Sequence, residues 1–512
     1  MSKSRTPLLP LKKFAANQSG AAAMVLAVAS LPLVMAAGAA VDYGNAVSVQ
    51  ARLQAATDAA ALAAGRQANL PVAELEHIAD LYFKSNYNTP ANTDLPTMAL
   101  SIDADGQLRV DGEVKVKNYL ISVAGYEKTT VTATSRVTKE GSGLEVALVF
   151  DNTGSMGNQS RLSTLKVAAR DFVNILFGPR EIADTLKIAV VPFSQFVNVG
   201  ADKATEDWID KSGLNPYSKV NFTSGSWHNW QAWQEISNRT WTGCVESRAG
   251  ALSVDDTPPD VGDGLTLFPP AFAPDEPGTN TSTADFSVGQ NTVYRYMNSY
   301  LADSNTSSLD QRQRHEGKYQ AASVSTTSRG PDSGCNVQPI LALNNVKQPV
   351  LDTLNNMTAG GYTHVAEGVG WGLRVLSPGT PFTEGVAYSN DEITKAMVLL
   401  TDGENTFDTE SNHNTSTYTA YGFLAQARLG SSNYNTAIAA QNTLLQQACN
   451  NVKAKEIVVY SFAYNVPSAT QRNLIKNCAT SPEKYFDPPT NAALVASFQQ
   501  IADELRKLHL SE

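Results

Sequence analysis

The chain has few positively charged residues and little cysteine. Its 39 lysines and arginines are outnumbered by 49 aspartates and glutamates, which leaves a formal charge of −10 over 512 residues. A chain of this kind has no basic stripe to neutralise phosphates, so its composition argues against nucleic-acid binding. The four cysteines show no C-x-x-C spacing, which argues against a zinc cluster. In an exported protein they are expected to form two disulfides.

Several catalytic motifs are also missing. The sequence contains no G-x-x-x-x-G-K-[ST] phosphate loop, no H-E-x-x-H motif and no G-x-S-x-G motif. The glycine-rich stretch Gly368–Gly372 lies within a predicted helix, so it is not a dinucleotide fingerprint. The six histidines are scattered, and His364 is the one to check because it follows Thr363. We expect His364 to lie behind the site proposed below or to face solvent, and we predict that the chain is not an enzyme.

A long uncharged segment follows the basic N-terminus. No charged residue occurs from Phe14 to Val41, and Ala21–Val41 is almost wholly apolar. About 20 such residues are enough to span a membrane. The basic residues before this segment and Asp42 after it place the N-terminus in the cytoplasm. A retained anchor is the favoured interpretation, and a signal peptide cleaved near the small residues 37–39 remains the alternative.

The strand and loop Leu144–Gly157 form the clearest candidate site. The first half is apolar and β-branched, as expected for a strand that is buried on both faces. It ends at Asp151, and Thr153 and Ser155 follow in a glycine-containing turn. Three oxygen-bearing side chains therefore alternate at the carboxyl end of a strand, where open α/β sheets bind their ligands. Hard cations such as Mg²⁺ prefer ligands of this type.

This turn and two later segments resemble the metal loops of von Willebrand factor A (vWA) domains. The first is similar to the D-x-S-x-S signature, with Thr153 in place of the first serine; Gly360–Thr363 resembles the second loop, and Val398–Gly403 the third. In that family the three loops form a metal-ion-dependent adhesion site. The resemblance implies that one Mg²⁺, with Mn²⁺ or Ca²⁺ as alternatives, is bound by Asp151, Thr153, Ser155, Thr363 and Asp402. It also implies a protein partner that offers a carboxylate to the ion.

The two ends of the chain resemble TadG-like tight-adherence (Flp) pilus assembly proteins. The N-terminal stretch, with Gly20-Ala21-Ala22 opening the apolar run and Val41-Asp42-Tyr43-Gly44 closing it, is similar to their TadE/TadG-like segment. Trp371–Pro378, and Cys478-Ala479-Thr480 followed by Tyr485-Phe486, resemble the vWA part of the same proteins. The resemblance implies a single-pass protein of the bacterial inner membrane, with most of the chain periplasmic or extracellular. Its partners would be pilus-assembly or envelope proteins.

Between the anchor and the candidate site, the pattern predicts a small α+β module. A helix is expected over Val72–Lys84, and alternating residues from Met98 to Thr138 predict strands. Asp103–Gln107 and Asp111-Gly112 are predicted to be hairpin turns. Nothing in this module suggests chemistry, so we interpret it as a structural spacer.

From Leu144 onward, strands and helices alternate, which predicts an α/β fold of vWA (Rossmann-like) type with a mostly parallel sheet and helices on both faces. A segment rich in Asn, Ser, Thr, Gly and Pro interrupts this order and predicts an insertion, in which Asp255–Gly278 is expected to be an exposed loop. The predicted segments are a cytoplasmic tail (1–18), a transmembrane anchor (19–41), a helical extension (42–71), the α+β module (72–139), and a vWA domain in two parts (140–197 and 342–512) around the insertion (198–341).

The positions of the cysteines suggest how they pair. Cys244 and Cys335 both lie in the insertion, and a bond between them would close much of it into one loop. A bond between Cys449 and Cys478 would connect the two flanks of the strand predicted at 456–462. Four cysteines allow three pairings, and this one is inferred from proximity along the chain.

Three functions are compatible with the sequence. The favoured hypothesis is an anchored vWA protein that acts in assembly or surface anchoring of a Flp/Tad-type pilus through metal-dependent protein binding. An anchored vWA adhesin or sensor without a pilus role is the second. The third is a metal-dependent hydrolase that uses Asp151 and Asp402, for which the sequence offers no evident nucleophile or base.

Overall fold

The computed structural model describes residues 20–66, 70, 72–103, 107–137, 143–278, 284–288, 292–302, 308–326, 328–390 and 392–511. The predicted cytoplasmic tail lies outside these residues. The chain divides into two compact units with the boundary between residues 140 and 141. Each unit is described by itself.

The first unit consists of two helices and a three-stranded antiparallel sheet. Its elements are α1 (Gly20–Gly65), α2 (Val72–Asn86), β1 (Thr97–Ile102), β2 (Leu108–Lys117) and β3 (Lys128–Val137), and the strand order is β1-β2-β3. The helix α1 runs without a break from Gly20 to Gly65, so it continues from the predicted anchor (19–41) into the predicted extension (42–71) and ends before the last residues of that extension. Its part from Met24 onward is long and apolar enough to cross a membrane. Further along α1, Leu53, Ala56 and Ala60 are buried in the core of the unit.

Of the two turns predicted in this unit, the first connects two paired strands, although its residues 104–106 lie outside the described part of the chain, and the second is wrong. The strands β1 and β2 form a hairpin, in which the Asp103 N–H donates to the Gln107 carbonyl oxygen. The dipeptide Asp111-Gly112, by contrast, lies inside the continuous strand β2. A β-carbon on Gly112 would lie 3.1 Å from the Thr57 Cγ2 atom of α1. The glycine is therefore explained by the close approach of a helix to the sheet, which a turn-based interpretation does not consider.

The second unit is built on a six-stranded sheet with the order β10-β5-β4-β11-β12-β13. The strands β4 (Gly143–Asp151), β5 (Leu186–Phe193), β11 (Ile393–Thr401), β12 (Val458–Ala463) and β13 (Tyr485–Phe486) pair in parallel, and β10 (Leu341–Asn344) is an antiparallel edge strand beside β5. The predicted mostly parallel α/β sheet is confirmed. The short edge strand β10 was not predicted.

Helices cover both faces of this sheet, as predicted. The β4 side chains Leu148 and Phe150 pack with α3 (Arg161–Phe177), α6 (Lys347–Asn356) and α10 (Asn491–Ser511). On the other face, Ala147 and Val149 pack with α7 (Val365–Leu376), α8 (Tyr434–Ala454) and α9 (Ala469–Cys478). Because successive side chains of a strand point to opposite faces, a continuous apolar strand is what two helical layers require.

The segment 198–341 belongs to the second unit and contributes to its hydrophobic core. Its helices and strands in the described ranges are short: β6 (Val197–Asn198), α4 (Asn229–Glu235), β7 (Cys244–Val245), β8 (Ala284–Val288), β9 (Thr292–Tyr296) and α5 (Leu309–Arg314), besides several 3₁₀ turns. Its aromatic side chains Trp208, Phe268 and Phe272 share one buried cluster with Val149 of the sheet. The ring centroids of Phe268 and Trp371 are 4.7 Å apart. The prediction of an exposed loop over Asp255–Gly278 is therefore wrong for its second half, because residues 266–278 are buried.

The structure contains two disulfides with the pairing inferred from the sequence. Cys244 and Cys335 are bonded, with their Cα atoms 5.9 Å apart, as are Cys449 and Cys478, with 4.9 Å between the Cα atoms. The first closes a loop within the inserted segment. The second joins Cys449, which lies in the C-terminal part of α8, to Cys478 at the end of α9.

Candidate metal centre

The two predicted acidic ligands meet because they end neighbouring strands. The strand β4 ends at Asp151, β11 ends at Thr401, and the two are paired in parallel with Phe150 beside Leu400. Asp151 and Asp402 therefore lie at the same carboxyl edge in the middle of the sheet. This edge is where parallel α/β sheets place their ligand sites.

Hydrogen bonds connect four of the five predicted ligands. The Thr153 N–H donates to Asp151 Oδ1 at 2.8 Å, and the hydroxyl oxygens of Thr153 and Ser155 are 3.0 Å apart. The Ser155 hydroxyl donates to Asp402 Oδ1 at 2.6 Å. Two carboxylates and two hydroxyls are thereby held in one contiguous group.

Thr363 lies beside this group. The Gly154 N–H donates to the Gly361 carbonyl oxygen at 3.0 Å, which joins the loop after β4 to the loop before α7. A β-carbon on Gly403 would lie 3.4 Å from the Thr363 hydroxyl oxygen and 3.8 Å from that of Ser155. The two hydroxyls therefore face the same small space, which stays open because residue 403 has no side chain.

This group opens into a cleft of about 560 Å³, which is lined by Thr153, Gly154, Ser155, Gly361, Tyr362, Thr363, Gly403, Glu404, Thr406, Phe407 and Tyr434. Glu404, near the candidate ligands in the sequence, is exposed there. The cleft is wide enough to admit a side chain from another protein.

The electrostatics of the site favour a bound cation. Burial raises the pKa of Asp151, the nearby Asp402 carboxylate raises it further, and the result is a pKa of about 7. The Asp402 side chain is also fully buried. Two close and desolvated carboxylates repel one another, and a cation removes that penalty. With three neighbouring hydroxyls, they form the oxygen-only donor set that suits Mg²⁺.

Two residues at the site were missed by the sequence analysis. The Thr401 hydroxyl donates to Asp151 Oδ2 at 2.6 Å. Arg161 donates from Nη1 to Asp402 Oδ2 at 2.7 Å, and its side chain is 15% exposed. A usable signal existed for Arg161, because it is the first residue of α3, where the helix dipole disfavours a cation that has no acidic partner.

His364 is not a candidate ligand. Its ring packs against Phe407 and Tyr421, with centroid distances of 5.1 and 5.2 Å. Burial lowers the pKa of His364 to about 3, so the imidazole is neutral. The side chain is buried, so the alternative that it faces solvent is wrong.

The N-terminal segment is similar to a known protein family. Residues 20–67 match the family described as "Putative Flp pilus-assembly TadE/G-like". This match confirms the predicted TadE/TadG-like resemblance for that segment. No curated protein matches the chain.

Among solved structures, the chain is similar to vWA domains and pilus adhesins. The pilus adhesin SpaC from Lactobacillus rhamnosus GG matches with 12% identity and a TM-score of 0.34, over 82% of this chain and 35% of that chain. The vWF domain of the type V pili tip protein Mfa5 from Porphyromonas gingivalis matches with 10% identity and a TM-score of 0.33, over 73% of this chain and 97% of that chain. A von Willebrand factor type A structure from Catenulispora acidiphila matches with 9% identity and a TM-score of 0.27, over 81% of this chain and 51% of that chain. Similarities of this size do not transfer a function.

Proposed function

We propose that the chain is a membrane-anchored vWA protein that acts in assembly or anchoring of a Flp/Tad-type pilus by metal-dependent binding of a partner protein. The observation that carries the proposal is the convergence of Asp151, Thr153, Ser155, Thr363 and Asp402 at one sheet edge, in a chain whose N-terminal segment is TadE/G-like. These residues would hold one Mg²⁺, with Mn²⁺ or Ca²⁺ as alternatives. The ion would supply a coordination position for a carboxylate of the partner.

The proposed location is the bacterial inner membrane, with a single pass through α1, the N-terminus in the cytoplasm and the rest of the chain outside. Two observations support it. The helix α1 continues through residues 37–39, and the family match also spans them, which favours a retained anchor over a cleaved signal peptide. Two disulfides are expected outside a reducing compartment. A reporter that is active only outside the cytoplasm, fused after Glu512, should be active, and a silent fusion would contradict the orientation.

A binding role is favoured over a hydrolytic one. Among the described residues that line the cleft, Glu404 is the only ionisable group besides tyrosines, and it is exposed. Metal-assisted hydrolysis would also need a base or nucleophile. Purified protein should therefore not turn over phosphoesters. Turnover that disappears in Asp151→Ala would establish the hydrolase alternative.

Calorimetry with Mg²⁺ and Mn²⁺ on the full chain in detergent micelles tests the metal site. The wild type should bind one ion, and Asp151→Ala should lose binding because a buried carboxylate ligand is removed. Asp207→Ala is the matched control, since Asp207 is an aspartate of the same unit with a side chain that is 94% exposed. Equal binding by the wild type and Asp151→Ala would place the ion elsewhere.

Imaging of cells tests the pilus role. A strain without the gene should lack pili, and wild-type protein or Asp207→Ala should restore them, whereas Asp151→Ala should not. Normal pili in the deletion strain would leave the adhesin or sensor function. Full restoration by Asp151→Ala would show that pilus assembly does not need the metal site.

A further inference from the structure

The loop between β2 and β3 is attached to α1 at the end of the charge-free segment. We call residues 118–126 the tip loop. The Asp42 carboxylate accepts backbone N–H bonds from Tyr119 at 3.0 Å, from Leu120 at 2.9 Å and from Ile121 at 2.9 Å. One turn towards the N-terminus of α1, a β-carbon on Gly38 would lie 2.6 Å from the Leu120 Cβ atom. The tip loop therefore lies directly against the helical turn from Gly38 to Asp42.

The tip loop has a defined conformation. At its base, the Asn118 N–H donates to the Glu127 carbonyl oxygen at 2.9 Å, and Asn118 Nδ2 donates to the Tyr126 carbonyl oxygen at 2.9 Å. A 3₁₀ turn spans Ile121–Ala124, and Gly125 follows with a φ of 95°, which suits a residue without a side chain. Together with the bonds to Asp42, these contacts hold the backbone of the loop in one conformation.

The tip loop presents apolar and aromatic side chains to its surroundings. The exposed fractions are 63% for Tyr119, 47% for Leu120, 90% for Val123 and 68% for Tyr126. No charged residue occurs between Asn118 and Tyr126. Large apolar side chains that are clustered and exposed usually mark an interaction surface.

We propose that the tip loop is a second membrane contact, which inserts Leu120 and Val123 into the outer interface of the bilayer beside α1 and places Tyr119 and Tyr126 at the headgroup level. This inference rests on the proposed anchoring through α1. The bilayer is the favoured partner of this surface because the tip loop packs directly against the end of the anchor, at Gly38 and Asp42. The contact at Gly38 lies within the charge-free segment that ends at Val41, about 6 Å before Asp42 at 1.5 Å per residue.

The chemistry of the tip loop agrees with this location. Tyrosine is enriched where a membrane meets water, because its ring is apolar and its hydroxyl is polar. Lys117 ends β2 and Lys128 begins β3, so both lie at the base of the loop. The Lys128 ammonium pairs there with the Asp94 carboxylate at 2.7 Å, whereas the exposed Lys117 side chain is of the kind that keeps its charged end among polar headgroups while its stem covers apolar surface. Interfacial elements insert their apolar side chains to a depth of about 5–10 Å at this boundary. With two contacts, the first unit would have a fixed orientation on the membrane, which one helix alone does not provide.

Spin labels on the full chain in phospholipid vesicles test the inference. A nitroxide is introduced through an unnatural amino acid at position 30, 62 or 123, so that the cysteines are left intact. Position 30 lies in the middle of the span. Leu62 is the matched control, because it is an exposed apolar residue of the same unit about 30 Å beyond Asp42 along α1. Collision rates with oxygen, which concentrates in lipid, and with a water-soluble nickel chelate report the depth of each label.

The label at position 123 should show a several-fold lower collision rate with the nickel chelate than the label at 62, and a higher rate with oxygen. Asp42→Asn keeps the shape of the side chain and removes its charge, so it should shift the label at 123 towards the aqueous values and leave position 30 unchanged. Equal aqueous access at 123 and 62, with position 30 still in lipid, would overturn the inference and leave the anchor intact. Protection at 123 from both reagents that persists in detergent would instead indicate a protein partner and also overturn it. Aqueous access at position 30 would refute the anchor.

Discussion

Replacement of Arg161 by glutamine should lower the free energy of unfolding of the metal-free protein and raise its affinity for Mg²⁺. Arg161 donates to Asp402 at 2.7 Å, and the Asp402 side chain is fully buried. The guanidinium thereby supplies the cation that the two acidic side chains require when no ion is bound. Arg161→Gln removes that charge and keeps a side chain that can still donate a hydrogen bond.

The expected magnitude follows from the burial of the pair. Removal of one partner from a buried ion pair typically costs about 3–5 kcal/mol, because the other charge is left without compensation. The Arg161 side chain is 15% exposed, and Ser155 still donates to Asp402, so we expect a loss of about 2 kcal/mol in the free energy of unfolding. A divalent ion would restore the compensation. By the thermodynamic cycle, the same 2 kcal/mol then appears as metal affinity, which corresponds to roughly a 30-fold lower Kd.

The assay uses the intrinsic fluorescence of the second unit. All six tryptophans lie between Trp208 and Trp371, so urea unfolding followed by fluorescence reports on this unit. Unfolding is measured in EDTA and in saturating Mg²⁺, and calorimetry gives the Kd. Arg170→Gln is the matched control, because Arg170 is an exposed arginine of the same helix.

Two results would refute this reasoning. If Arg161→Gln is as stable as the wild type in EDTA, the ion pair does not compensate the acidic site. If the variant is less stable but binds Mg²⁺ no better, Arg161 does not compete with the ion and instead holds Asp402 in the position that the ion needs.

Three further predictions concern stability, again measured by tryptophan fluorescence. Glu145→Gln should destabilise the second unit by about 3 kcal/mol, because the buried Lys395 ammonium loses its carboxylate partner; wild-type stability would contradict this. Burial raises the pKa of Glu276 to about 7 from an ordinary value of 4.5, so the native state binds the proton more tightly than the unfolded state does. The free energy of unfolding should therefore fall by up to about 3 kcal/mol as pH rises from about 4.5 to 7. Glu276→Gln, which is neutral at every pH, should reduce this slope, and an unchanged slope would exclude Glu276 as its source. Replacement of both Cys449 and Cys478 by alanine opens a loop with a separation of 29 residues and should lower the free energy of unfolding by about 3–4 kcal/mol. Free thiols at these positions in mass spectrometry of the unreduced wild type would contradict this.

The sequence by itself determined the secondary structure around the site. The apolar strand that ends at Asp151 is recognisable because a strand between two helical layers must be apolar on both faces. The alternation of strands and helices then predicts a parallel sheet, and parallel strands bring their carboxyl ends to one edge. Asp151 and Asp402, 251 positions apart in the numbering, were assigned to one site because the segments that carry them resemble two metal loops of vWA domains, and the parallel sheet explains why those two loops meet.

Tertiary structure decided the features that depend on distant partners. The dipeptide Asp111-Gly112 is typical of a turn but lies inside a strand, and its glycine is explained by the close approach of α1 to the sheet. The inserted segment has no periodicity, yet its scattered aromatic residues, such as Phe268, fill the core against Trp371. The ion pair of Arg161 with Asp402 and the attachment of the tip loop to Asp42 join residues far apart in the chain. Periodic patterns report which side of an element is buried, whereas the partner of a single polar or glycine residue is set only when the whole chain has folded.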